Sequence, residues 1–465
     1  MKKQKLALLI GLSSALFLTA CGGSSSSSDN EVVSNKVVRG SIDGFGSVIV
    51  NGVRYNTDNT TFSVNESAGT QENLKVGQVI TLYGNTNGNN GVASNIIYEL
   101  DLKGPITEVS AEGDTFTVLG QTVLTNNLTV FKDLTLPLTV GESVEISGYI
   151  SGETLIASYV ERNDDNDTEV ELRGAIANLD EAARTFRIRG QQISYSSATE
   201  LDLDGQVFAN GLRVEVEGVL DTDAVLVATE IEADEETFEK DTELELVGIV
   251  SDLNAEAKTF VVNGTQVTWN NQTDFNDLTA AELANDLTVE VEGRVNAEGV
   301  LVAEDIEIND DANISIEATI SEVTAGSDQF TGLITVLGLT VNVDMSTRMS
   351  DDDENPNANP LFNFSNLASS DKVELEITGD ATNGYRAIKL ERDYLDASDN
   401  EGLNEVELEV PASLIDVTAK TVMGINFETQ LSLTVLEGLA DDSEVEIEGT
   451  INGDLLTITS IEIDD

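Results

Sequence analysis

The sequence predicts an all-β protein, six tandem small OB-like β-barrel modules behind a lipoprotein signal and a flexible tether. Three observations carry that expectation. Similar text recurs six times at a period of roughly 70 residues, the mark of a modular array. Within each copy, apolar residues alternate with polar ones, which is strand periodicity with one face buried. Ahead of the first copy stand a short basic, apolar leader and a Ser-rich stretch with no periodicity.

In residues 1–20, Lys2, Lys3 and Lys5 precede an apolar run from Leu6 to Phe17. The run is too short to span a bilayer and ends in small residues, so it reads as a secretory signal. Its end, Leu18-Thr19-Ala20-Cys21, matches the lipobox, in which small residues fit a dedicated peptidase and the cysteine thiol receives diacylglycerol. Cys21 is the only cysteine in the chain and is the expected lipid attachment site. Several acyl chains on one terminus exceed what stable membrane anchoring needs. By resemblance to the lipoprotein class, Gly22 after the cysteine implies outer-membrane sorting. Residues 21–36, with GGSSSSSDN inside, form the expected tether.

The modules are expected at 37–100, 101–161, 169–233, 242–309, 313–391 and 405–463, the fifth with an inserted loop at 349–364. Three glycines set their register: an early one, a central one after a short strand, and a late one ending a VEVEG-like strand. The first four copies carry Gly40, Gly52 and Gly84; Gly104, Gly120 and Gly148; Gly174, Gly190 and Gly218; and Gly248, Gly264 and Gly293. The fifth keeps Gly338 and Gly379 but has Ala318 first; the sixth keeps Gly424 and Gly449, with Val410 first and Pro411 after it.

The copy from Thr242 to Asn309 is the cleanest. Leu244, Leu246, Val250, Phe260, Val262, Val289, Val291, Val302, Ile306 and Ile308 fall mostly at even spacing. Glu243, Glu245, Glu290, Glu292 and Glu307 take the alternate positions and are expected to point at water. Gly264 suits a hairpin needing positive φ. Thr279 is placed to cap a short helix, Ala280 to Asp286. Five strands with a helical segment between the third and fourth is the element order of an OB-like barrel; a two-sheet sandwich of the same length has the same periodicity.

The glycine and valine placements, closest in VVRGSIDGFGSVIVNGVRYNT and LKVGQVITLYG of the first copy, resemble a tandem uncharacterised β-barrel repeat ("domain of unknown function") family of Gram-negative bacterial lipoproteins. The resemblance spans nearly all of residues 37 to 463. It implies fold and envelope location and supplies no catalytic residues.

Aromatics make up only 5% of 465 residues, few for the stacking platforms of sugar or nucleotide sites. A module of this size buries only about 60% of its unfolded surface, so neighbouring modules or ions are expected to support it. Taking the three leader lysines from 24 basic residues leaves 21 against 85 acidic ones, a formal charge of −64 after signal removal. Such a surface repels nucleic acid and anionic lipid, so no nucleic-acid partner is expected. The charge is uneven. Residues 37–100 hold five acids and three bases, whereas 242–309 hold fourteen and two, so the first module either avoids repulsion at the membrane or docks a partner. Its GNTNGNNG stretch, Gly84 to Gly91, reads as a flexible loop.

With no histidine, imidazole bases, Ser-His-Asp triads and His-ligated zinc are excluded. No Walker-type phosphate loop occurs. Pairs such as Glu290 and Glu292 have the residue types of a carboxylate hydrolase, but their spacing puts them on a wet strand face. No catalytic or cofactor-binding residue is assigned. Structural calcium is the one candidate ligand, because hard cations want six to eight oxygens and acidic clusters fall between modules. The candidate ligands are Asp164, Asp165, Asp167, Asp310 and Asp311, with further acids at Asp234 to Asp241 and Asp393 to Glu401. Solvated linkers without ions account for the same clusters. Trp269 and the scattered aromatics are expected in cores.

The resulting expectation is a non-enzymatic, lipid-anchored outer-membrane protein, facing the periplasm or the surface. It would be an extended tandem-repeat scaffold for an unknown envelope protein or polysaccharide. A calcium-dependent adhesin or glycan-binding surface protein is the alternative, and an envelope hydrolase a distant third.

Overall fold

The computed structural model describes residues 36–464, apart from 112, 153, 164–167, 204, 235–237, 277, 309–313, 352–357, 360, 383, 394–401, 437 and 441–442. Among them there is no α-helix; strands and a few 3₁₀ turns make up the fold.

The copy at 242–309 shows why this sequence closes into a barrel. Its long first strand, Glu243–Asn254, buries Leu244, Leu246 and Val250 completely. A hairpin, Thr259–Val262 and Thr265–Thr268, turns at Asn263 and Gly264, whose φ of 49° and 80° are those of the two-residue turn that matches strand twist. Strand Thr288–Val295 pairs antiparallel with the first strand, Leu246 facing Val291, and with Leu301–Ile308, Val291 facing Ile306. Parallel pairing of Val267 with Leu301 then joins third strand to fifth, and the first strand also pairs with the second. The resulting ring, first-second-third-fifth-fourth-first, is an OB-like barrel. Trp269 lies in its core, its ring 5.8 Å from that of Phe260.

The late glycine marks a β-bulge. Register shifts at Glu292/Gly293, and a Cβ on Gly293 would collide with the carbonyl oxygen of Val302 on the next strand. A second signature is a threonine that donates to a last-strand carbonyl at 2.7–3.0 Å in every module, as Thr60, Thr129, Thr199, Thr273, Thr347 and Thr429 do.

Several expectations need correction. The predicted helix over Ala280 to Asp286 is a single turn, because Glu282 folds back to accept from the Thr279 amide and hydroxyl at 2.7 and 2.8 Å. The predicted flexible loop Gly84 to Gly91 belongs to a hairpin of Val79–Asn87 and Asn90–Tyr98. The stretch 349–364 is not simply an exposed loop: Met349, Phe362 and Phe364 are core residues of the fifth module. In the sixth, Pro411 ends the first strand after seven residues, against twelve in Glu243–Asn254.

The modules are not extended in a row. Each spends the free edge of its first strand on another module, giving three pairs. Modules two and three pair antiparallel through Leu102–Val109 and Glu169–Ala175, and modules five and six antiparallel through Ile314–Ala325 and Glu405–Pro411. Modules one and four pair in parallel through Lys36–Phe45 and Glu243–Asn254, more than two hundred residues apart. Val79, Tyr149, Val247 and Ile249 form a small buried cluster joining modules one, two and four. Arg348 of the fifth module donates to the Ser41 hydroxyl at 2.6 Å, tying in the first.

Candidate functional site

The functional geometry lies at the seams, where strand alternation places carboxylates that the sequence puts in water. Glu245 is only 4% exposed. Lys36, which the sequence assigns to the tether, is instead the first residue of a strand, and its ammonium lies 2.6 Å from Glu245 and 3.1 Å from Glu292. Burial opposes the charge on Lys36, yet these two carboxylates hold its pKa above the usual lysine value. Asn51 donates to Glu245 at 2.8 Å. Glu290 beside them is held well above the carboxylate range by burial and then by the charges of Glu245 and Glu307. Glu290 therefore faces a neighbouring module, whereas Glu292 grips Lys36 from a position whose side chain is still 42% exposed.

At the second seam, Arg173 takes the place of Lys36. Its Nε donates to the Leu100 carbonyl at 2.7 Å, and Nη1 reaches Glu99 and Asp234 at 2.9 and 3.1 Å. Nη2 pairs with Glu215. Burial raises both Glu171 and Glu215 against the pull of Arg173, and the two carboxyls hydrogen-bond to each other, an arrangement that retains a proton. Asp234, expected among linker calcium ligands, is held by Arg173 and by Arg213 at 3.1 Å. At the third seam Lys372 pairs with Glu317, while Lys389, facing module two, pairs with Glu374 at 3.0 Å and donates to the Asn127 carbonyl at 3.2 Å. Asp393, another expected linker acid, is pushed up to about 7 by burial and then by Glu317.

Among the described residues, three sizeable cavities open between modules. One of about 430 Å³, at the junction of modules one to four, gathers Arg39, Arg173 and Arg213 with Asp101, Glu215 and Asp234. A second, of about 720 Å³, is lined from five modules and includes Asp43, Arg348, Arg386 and Tyr149. Burial pushes Asp43 up to about 7 against Arg348 and backbone amide donors. The third, of about 620 Å³, is walled by modules one, two and five and is the most apolar of the three.

Cys21, Asp164, Asp165, Asp167, Asp310 and Asp311 lie outside the described residues. Two described carboxylate groups have metal-ligand spacing, Glu171 with Glu215 and Glu217, and Glu407 with Glu446 and Glu448. The first already surrounds Arg173, so its charge is answered by the chain itself. The near-neutral first module makes contacts with its own chain's second, third, fourth and fifth modules.

Comparison with known proteins places the repeats. A model of the family described as "Domain of unknown function (DUF5666)" matches residues 37–96, 103–161, 173–232, 247–307 and 317–391. The sixth module, outside these matches, carries the same late-glycine bulge and last-strand threonine. No curated protein matches the chain. Among solved structures, a Drosophila Unr CSD456 fragment is 12% identical, covering 44% of this chain and 99% of its own, with a TM-score of 0.15. A multidomain protein with nucleic acid binding domains from Streptococcus pneumoniae is 9% identical, with coverages of 49% and 73% and a TM-score of 0.14. Neither superposition is close enough to bear on function.

Proposed function

The chain belongs to the DUF5666 family, and from that premise we propose that it is a non-enzymatic, lipid-anchored scaffold of the cell envelope, built to hold a partner rather than to transform one. The observation that carries this reading is the way the modules spend their edges. Every first strand is capped by another module, so the chain presents one body with polar and apolar recesses between barrels. Small barrels that are marginal alone become stable collectively, which suits a platform.

The anchor rests on the sequence alone: the basic and apolar leader, the Leu18-Thr19-Ala20-Cys21 lipobox and the Ser-rich tether. In the producing cell, wild type fractionates with membranes and Cys21→Ala does not. A wild-type chain recovered in the soluble fraction contradicts the anchor. Nucleic acid is disfavoured as a partner by a formal charge of −61 over the whole chain.

A further inference from the structure

We propose that the apolar cavity between modules one, two and five is a binding site for a fatty acid, with the acyl chain in the cavity and the carboxylate at its lysine-bearing mouth. The walls come from three barrels. Module one supplies Phe45 and Leu74, module two Val130 and Tyr159, and module five Met349 and Phe362. All six are at most 9% exposed. They are core-type side chains whose outer surfaces meet around a space of about 620 Å³ instead of packing on one another. A volume of that size falls within the range of small-molecule sites, roughly 300–1,000 Å³. Leu361 at the cavity edge is 50% exposed, an apolar surface that an acyl chain would cover.

Charge at the mouth selects the head group. In a chain with 24 basic residues against 85 acidic ones, Lys75 and Lys132 both line this cavity, Lys132 with its ammonium 3.4 Å from the half-exposed carboxylate of Asp133, a pairing that a bound carboxylate would share. The Lys75 ammonium donates to a backbone carbonyl, that of Glu72, at 3.4 Å. Most of the nearby acids are already answered. Asp351 is bound by Arg392 at 2.9 and 2.8 Å, Glu391 lies 3.7 Å from Lys389, and Glu161 accepts from the Tyr159 hydroxyl at 2.9 Å. Ser350, also lining the cavity, has a buried hydroxyl without a hydrogen-bond partner, which a carboxylate oxygen would satisfy. The Arg392 guanidinium stacks 4.6 Å from the Phe362 ring centroid, fixing that aromatic wall. The other two cavities lack this combination, because charged and amide groups dominate their linings.

The test uses the full chain, stripped of copurified lipid, and straight-chain fatty acids from octanoate to palmitate, each below its micellar concentration. Affinity is expected to rise about fourfold per added methylene until the cavity is full, the factor expected for burying each CH₂. Lys75→Glu with Lys132→Glu is expected to lower affinity for the acid at least tenfold, while affinity for the matching fatty alcohol changes less than threefold. Leu361→Glu, at an exposed position that leaves folding intact, is expected to weaken acid and alcohol alike. Affinity that does not depend on chain length, or no binding to a chain with native circular dichroism, overturns the proposal. So does binding by Cys21→Ala but not by the lipidated chain, which would assign the cavity to the protein's own acyl groups. The proposal needs the three modules to close; non-binding by a chain that scatters as one compact body refutes the site without touching the scaffold reading.

Discussion

The seam between modules two and three and the seam between modules one and four solve one problem differently. Between two and three the strands run antiparallel, and buried residues of both barrels form a single hydrophobic cluster, from Leu102 and Phe116 through to Val216 and Ile231. Between one and four they run in parallel, and each barrel keeps its own cluster, with Val37 reaching across. Both bury a cation among carboxylates: Arg173 spreads over four acids, whereas Lys36 meets two. A planar guanidinium offers five donors and suits the crowded seam, while an ammonium suits a two-carboxylate grip. Neighbours in sequence can merge cores because a short linker holds them together. Modules far apart in the chain depend more on a specific contact.

The comparison is broken most severely at Arg173. Arg173→Ala strands Glu215 and Glu171 in a buried site, and removing one partner of a buried pair typically costs about 3–5 kcal/mol. Urea denaturation should show a loss of that order, and a change under 1 kcal/mol would mean the seam is solvated.

Lys36→Met should cost less, about 1–3 kcal/mol, because the ammonium meets only two carboxylates and one of them, Glu292, keeps a partly exposed side chain that water can solvate. Adding Glu245→Gln should recover part of the loss. Strictly additive single and double variants would show that the two residues do not interact.

A smaller, graded effect is expected with pH. Burial raises Asp43 to about 7, Glu376 to about 8 and Asp393 to about 7, all above unfolded values near 4. Between those limits the folded chain binds more protons than the unfolded one. Stability is therefore greatest near the unfolded pKa and declines as pH rises through about 7 to 8. Melting temperature at fixed ionic strength should fall from pH 5.5 to 8.5; a rise across that window contradicts the burial of these carboxyls.

What the sequence made legible follows from repetition. Barrel interiors obey a two-residue period, and the late glycines are forced by a bulge where a side chain meets a carbonyl, so both recur and can be counted. The seams depend on residues that occur once. Lys36 sits where tether composition gives way to strand, and nothing in one sequence says that its ammonium finds Glu245. Glu290 has the spacing of a wet face because period alone cannot tell open water from a neighbouring barrel. Asp234 looked like a linker acid for the same reason. The recurring threonine was available as a pattern, at Thr199, Thr273 and Thr347 near the third strand, but polar residues in turns carry little signal beside glycine. The single turn at Thr279 illustrates local chemistry overriding a capping signature: Thr279 and Glu282 close on each other without a helix to cap.

The pairing of module one with module four separates one closed body from six beads on a string, and small-angle X-ray scattering of the chain without its leader tests it most directly. A compact chain of this length has a radius of gyration of about 22 Å, whereas six small barrels in a row give about 45–50 Å. The account predicts the smaller value, raised slightly by the tether, together with a single-peaked distance distribution. A value near the larger one, with regularly spaced features, would contradict the seams and return the protein to an extended array.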